Sequence, residues 1–428
     1  MSKYNLKFGS LGQPVEYEKD EPRCYTDEWK RSSPDYAVYL PQKFIGRDTD
    51  NVVLLVAPTI NGNLLATWTQ GTYEAADNSS QVVSRSEDGG ETWSIPDEID
   101  GPNEAPYHCA FYGFPVVSNS GRIYIFYIKR QEHCDIDSNS HGVMGCRYSD
   151  DEGKTWAPRQ EIQMNRRPWD HDDPKVPANW IGWVNAIRDS KGRWLWAYGR
   201  WNQFQDNYKK DSAFLEFMRF DNIDEGPDPK NIKITWMPDE PIEGIPKGGM
   251  EPCPVLLPDG RLFMILRTGV GCVYYTISED DGATWQPTEP MLYRDGGERV
   301  LNPTSPPPLF ALKDGRFLQQ THNNDGSASS GPQPNWSRPY SFSRRSLFLS
   351  VGEYRSNARQ PIWFSQPKLF ADSDGVSAGV QNRTETGTYD SLTEHNGKRI
   401  LWYPDRKHFL LGKEVTDEWL ADMTIPEA

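Results

Sequence analysis

A tight turn ending in glycine, followed by a basic or polar residue and then an apolar strand, occurs six times along these 428 residues. The turns are Asn61-Gly62, Ser120-Gly121, Lys191-Gly192, Asp259-Gly260, Asp314-Gly315 and Asn396-Gly397. Glycine tolerates the positive φ that a tight hairpin needs, so each turn predicts a pair of antiparallel strands. The mean spacing of these glycines is 67 residues. That is room for four strands with their turns, and too little for an independent domain.

A second pattern runs in step with the first. Ser-x-Asp-x-Gly-x-Thr-Trp appears three times, as Ser86 to Trp93, Ser149 to Trp156 and Ser278 to Trp285. The first two serines lie 63 residues apart and the next two 129, close to double. The Asp carboxylate and the hydroxyls can bind backbone N–H groups across a turn, while Gly allows a tight corner and Trp returns to the apolar interior. The boxes therefore read as structural. Units of four strands that cannot bury both faces alone, repeated at one period, predict an all-β chain: a six-bladed β-propeller with four-stranded antiparallel blades. Blade three is expected to carry a degenerate box across Phe217–Trp236, and blade five to replace its box with Arg345–Val351.

Residues 1 to 44 read as an extension, in which Tyr36–Leu40 can supply a strand that closes the ring. Residues 45 to 412 read as the propeller, and 413 to 428 as a tail. Ser327–Pro334 reads as a mobile loop. A net charge of −15 argues against nucleic acid or an anionic membrane as partner. No apolar run approaches the length of a membrane span, and Met1–Phe8 lacks the apolar core of a signal peptide. The expected compartment is the cytoplasm, or an exported one with the signal removed. The six cysteines include no Cys-x-x-Cys pair and read as buried free thiols.

The innermost strand of each blade should be the apolar segment just before the hairpin glycine. Residues eight or nine positions before that glycine then occupy equivalent strand ends around the axis. This places Glu251 in blade four and Tyr389 in blade six at one depth, where a base and a nucleophile can meet.

The Ser-x-Asp-x-Gly-x-Thr-Trp repeats resemble the Asp boxes (BNR repeats) of the sialidase, or neuraminidase, superfamily, over roughly residues 45 to 412. The stretch Gly387–Glu394 resembles the sialidase segment that carries a tyrosine nucleophile, and Glu251–Arg267 the one that carries its base and a carboxylate-binding arginine. The resemblance implies an exo-acting, retaining glycosidase that takes an acidic or other terminal sugar from an oligo- or polysaccharide and needs no cofactor. Tyr389 would be nucleophile and Glu251 its base. Arg267 and Arg345, or its neighbour Arg344, would bind the sugar. The acid would come from the loop after the first hairpin, as Asp77 with Glu74 as rival. One element departs from the family. Where sialidases carry a first arginine, this chain has Val52-Val53-Leu54-Leu55, with Arg47 out of frame.

Two other chemistries remain open at this stage. His108, ahead of blade two's inner strand, could serve a uronate lyase or a histidine-dependent rhamnosidase or other glycosidase on the same scaffold, with Tyr389 and Arg267. His322 after the blade-five hairpin is a second histidine of this kind. A non-catalytic sugar-binding propeller is the third reading. Asp170-His171-Asp172-Asp173 could hold a structural cation through oxygen ligands, although a solvated acidic loop explains it as well.

Overall fold

The computed structural model describes residues 27–41, 46–102, 108–130, 140–201, 213–327 and 342–427. Six separate antiparallel sheets follow one another along the chain, each beginning at the axis and stepping outward. This is the six-bladed propeller. The sheets of blades three and five each carry one short extra strand beyond four. The six hairpin glycines all have positive φ, between 77° and 89°.

The axial strands are Asp50–Pro58, Ala110–Val117, Trp180–Ile181 with Ile187–Arg188, Met250–Leu256, Leu309–Ala311 and Ser391–His395. Those of blades one, two and four are buried on both faces, which is why they read as near-continuous apolar runs. The ring closes through the N-terminal segment. Tyr36–Tyr39 pairs antiparallel with Phe409–Glu414, so the outer strand of blade six comes from the start of the chain. At the axis, Leu54 N donates to Tyr389 O at 3.2 Å, and Ser391 Oγ bridges Leu54 O and Val56 N at 2.9 Å each. Blades one and six are thereby joined along their inner strands.

The three boxes repeat one hydrogen-bond pattern. Asp88, Asp151 and Asp280 each accept from the Ser two residues before them, at 2.8 to 2.9 Å, and from the Thr N–H four residues on, at 2.8 to 2.9 Å. Each box tryptophan leaves its own blade for the preceding one. Trp93 of blade one meets Trp402 of blade six edge-on at 5.5 Å, and Trp285 of blade four stacks on Phe217 of blade three at 4.8 Å. Trp156 of blade two packs against a cluster that includes Leu65 and Val83 of blade one and Ile123 and Ile125 of its own. The tryptophans are wedges between blades rather than parts of a blade's own interior.

Blade three keeps the expected strands without a box: Phe214–Phe220 and Ile234–Met237 pair around two short turns. In blade five, the segment expected to replace the box lies mostly in the strand Ser346–Tyr354, the third of that sheet, whereas the boxes of the other blades begin where the third strand ends. Cys109, Cys146, Cys253 and Cys272 are buried and free, while Cys24 and Cys134 lie outside the described residues. So does most of the Ser327–Pro334 loop. No described helix is long and apolar enough to cross a membrane.

Candidate active site at the propeller axis

Four residues with side chains hold positive φ at matching places on the axial strands: Val53 (60°), Tyr112 (50°), Glu251 (54°) and Tyr389 (70°). Each stands eight or nine residues before its hairpin glycine. In blades one, two and four the pairing with the second strand slips at that point. An irregularity of this kind turns one side chain out of the alternating pattern and aims it elsewhere. A left-handed conformation costs a bulky residue about 1–3 kcal/mol and persists only where the surroundings enforce it. The fold holds four such residues around one axis.

The result is a contact between blades four and six. Tyr389 Oη donates to Glu251 Oε1 at 3.3 Å, although the two residues are 138 positions apart. Arg267, on the strand next to Glu251, gives Nη1 to both Glu251 oxygens at 3.0 Å and to Tyr389 Oη at 3.4 Å. All three are buried. Burial first, and the Glu251 carboxylate second, push the Tyr389 phenol well above its usual value, so it keeps its proton at neutral pH. A protonated phenol beside a carboxylate is a nucleophile with its base in place. Trp183, nine residues before the blade-three glycine, meets the Tyr389 ring edge-on at 5.8 Å.

Around this pair lies a second set of charges. Glu74 accepts from Lys407 Nζ at 2.9 Å on both oxygens and from Arg383 Nη2 at 2.6 Å. Glu385 stands 3.5 Å from Lys407, 3.6 Å from Arg344 and 3.9 Å from Arg383. Lys407 Nζ also sits over the Tyr389 ring, 5.2 Å from its centre. Burial would raise Glu74, but Lys407 and Arg383 outweigh it and hold the carboxyl below its usual range. Asp50 differs. Burial and the neighbouring Glu74 carboxylate push its carboxyl upward, against the weaker pull of Lys407 and Arg383.

Several sequence expectations are redrawn by this arrangement. Arg345 turns outward to Asp372, at 2.7 Å, and its side chain is 31% exposed. Arg344 is the inward one: it is buried, donates to the Thr304 carbonyl at 3.1 Å through Nε, and is pulled below its usual value by burial and by Arg267. Adjacent residues at the start of a strand face opposite ways, so only one of the two could enter. Asp77 stands on the loop above blade one, 60% exposed, accepting from Arg130 Nη1 at 3.1 Å. Its rival Glu74 is the member of the charged set: it is less exposed, and two cations, Lys407 and Arg383, hold its carboxyl below the usual range, which makes it a poor proton donor.

His108 is half-buried ahead of the blade-two strand, with its carbonyl accepting from Lys129 Nζ at 2.6 Å. What blade two turns into the left-handed axial position is Tyr112. His322 is buried, with Nε2 2.9 Å from Ser305 Oγ and Nδ1 2.8 Å from the Ser346 carbonyl; burial lowers it to about 4. It ties backbone segments together as a neutral ring. Asp170 is not a free oxygen ligand, because Arg200 binds it at 3.0 Å in a buried ion pair. Among the described residues, no group of three or more His, Cys, Asp or Glu is placed to hold a metal ion.

Sequence reasoning missed Tyr112, Asp50, Arg383, Glu385 and Lys407. The counting rule that found Glu251 also lands on Tyr112, nine residues before Gly121, and on Trp183. The other four lie on loops or at an element's edge, where no period marks them.

The model of the BNR repeat-like domain matches residues 62–405. The chain belongs to that family. Among solved structures, a sialidase termed Hz136 from Hadza microbial material superposes with a TM-score of 0.60 at 14% identity, over 86% of this chain and 66% of that one. A Trypanosoma rangeli sialidase in complex with sialic acid gives a TM-score of 0.57 at 14% identity, covering 92% and 59%. A protein of unknown function from Dyadobacter fermentans gives 0.54 at 16%, covering 89% and 97%. At such identities the likeness is one of fold, and this chain spans about two thirds or less of the two sialidases. No curated protein sequence matches it.

Proposed function

We propose that the protein is a glycoside hydrolase that removes a terminal sugar with retention of configuration, using Tyr389 and Glu251. The observation that carries this reading is the hydroxyl-to-carboxylate contact of 3.3 Å across two blades, built on two strained axial residues. The left-handed backbone at both ends turns the two side chains out of their strands' alternation and toward one another. The sialidase-like propeller and the BNR repeat-like family support the same class of chemistry.

In the proposed reaction the Tyr389 oxygen attacks the anomeric carbon while its proton passes to Glu251. The glycosidic bond breaks, and the leaving oxygen takes a proton from a carboxylic acid. Asp77 is the proposed donor, since its loop follows Leu64–Gly71 at the end of blade one where Asp50 and Glu74 also lie. Water then attacks the tyrosyl–sugar bond, Asp77 takes the proton from that water, and Glu251 returns one to Tyr389. Arg267 keeps Glu251 aligned and its charge stabilises negative charge growing on the Tyr389 oxygen.

A panel of glycans and aryl glycosides, incubated with the protein and with Tyr389→Phe, tests the reading. Sugar release by the wild type that falls at least about a thousandfold in the variant supports it. Release that survives unchanged in Tyr389→Phe removes it.

A further inference from the structure

Three further carboxyl groups and four cations surround the axial pair, but they are not equally accessible. Glu74 is 23% exposed at its side chain, while Glu251 is 3% and Glu385 is 0% exposed. Lys407 is 2%, Arg267 4% and Arg344 1% exposed. The group that reaches the opening is therefore a carboxylate, and the cations lie beneath it. Each of those cations already serves a partner: Arg267 serves Glu251, Arg344 the Thr304 carbonyl, and Arg383 and Lys407 serve Glu74.

Among its described residues, blade one offers no cation to offset this. Its axial position is Val53, buried and apolar. Arg47 is 54% exposed and bound to Glu98, and Arg85 donates to the Gly153 carbonyl in the neighbouring blade. Beside Glu74, Tyr73 is one of the few large exposed hydrophobic residues, at 40%. A carboxylate accepts hydrogen bonds from hydroxyls and repels another carboxylate. An exposed aromatic ring beside it suits the apolar face of a sugar.

Resting on the glycosidase reading above, we infer that the sugar taken by this site is uncharged, with Glu74 binding its ring hydroxyls, and that sialic acids and uronates are excluded. The net charge of −15 works in the same direction, since it repels anions from the mouth. A neutral tyrosine nucleophile is compatible with a neutral sugar. The carboxylates that an anionic nucleophile would have to face here are the protein's own: Glu251, Glu74 and Glu385.

The test compares molecules of one shape that differ in charge: N-acetylneuraminic acid and glucuronic acid, each against its methyl ester, by calorimetric binding at pH 7. The wild type is expected to bind an ester at least tenfold better than the acid, and Glu74→Gln to bring the two within about threefold. Because Glu74→Gln leaves Lys407 and Arg383 without their partner, Glu74→Gln with Lys407→Met serves as the second variant, and the same narrowing is expected. A tenfold preference of the wild type for either acid overturns the inference, as does failure of every member of the set to bind. Binding is read without turnover, so a catalytically silent Tyr389 would refute the hydrolase reading and leave this result standing.

Discussion

Blade three and the propeller axis use the same three residue types for different ends. In blade three, Arg200 binds Glu216 and Asp170 at 3.0 Å, and the Tyr198 hydroxyl donates to Glu216. At the axis, Arg267 binds Glu251 and the Tyr389 hydroxyl donates to Glu251. Both sets are buried. The blade-three set lies mostly on adjacent strands of one sheet, where Tyr198 pairs with Glu216 in register, and the Trp169 indole adds a further hydrogen bond to Glu216 at 3.1 Å. The axial set bridges two blades through residues held in strained backbone, with contacts of 3.3 to 3.4 Å at the phenol. A buried Tyr–Glu–Arg cluster is therefore not in itself a sign of catalysis. What marks the axial one is convergence from separate blades and a phenol whose hydrogen bonds are long enough to be exchanged for a substrate.

That contrast can be broken by mutation. Tyr389→Phe and Glu251→Gln should each lower sugar release at least about a thousandfold, roughly 4 kcal/mol at the transition state. Circular dichroism should show Tyr389→Phe folded like the wild type. Arg200→Met should do the opposite. It strands two buried carboxylates, so denaturant unfolding should show a loss of about 3–5 kcal/mol, while activity per folded molecule stays within about twofold. Parallel behaviour of the two clusters in both assays would erase the distinction.

Acid sharpens the comparison on the stability side. His141, His322 and His408 are each lowered by burial to about 4. Their folded values lie below the unfolded value of about 6.5, so the unfolded chain takes up protons first as pH falls. Stability is fully present above about pH 6.5 and is lost on the way down to about 4, by on the order of 3 kcal/mol for each ring. Asp50 works in the opposite sense, its raised carboxyl favouring the folded state at lower pH. Denaturation midpoints between pH 7 and 4.5 should therefore fall, and His322→Asn should flatten the slope. A midpoint independent of pH would contradict the buried neutral histidines.

The smallest effect is expected at the boxes. Asp280→Ala removes hydrogen bonds to Ser278 and Thr284 on an exposed turn. It should cost about 1–2 kcal/mol in thermal or denaturant unfolding and leave turnover per folded molecule unchanged. A loss of activity without a loss of stability would give the boxes a role that this account denies them.

The architecture was legible because it is periodic. Six glycines with positive φ and three boxes fixed the blade count and its phase, and the same phase located Glu251 and Tyr389. The counting rule works because equivalent strand ends are equidistant from equivalent turns. It fails wherever a side chain's direction depends on one residue of register, as with Arg344 and Arg345. It is silent on Lys407, Arg383 and Glu385, which reach the axis from segments that no repeat sets in phase. The left-handed backbone at Val53, Tyr112, Glu251 and Tyr389 has no local signature either, because none of these residue types favours it. Tertiary packing of one inner strand against the next imposes that conformation.

The central claim is that Tyr389 forms a covalent bond to the sugar while Glu251 holds its proton. Rapid acid quench of the wild type with a hydrolysed aryl glycoside, followed by peptide mass spectrometry, reads this directly. The account predicts a sugar adduct on the peptide containing Tyr389, absent in Tyr389→Phe. Turnover in Tyr389→Phe at the wild-type rate, or an adduct located on another residue, would contradict it.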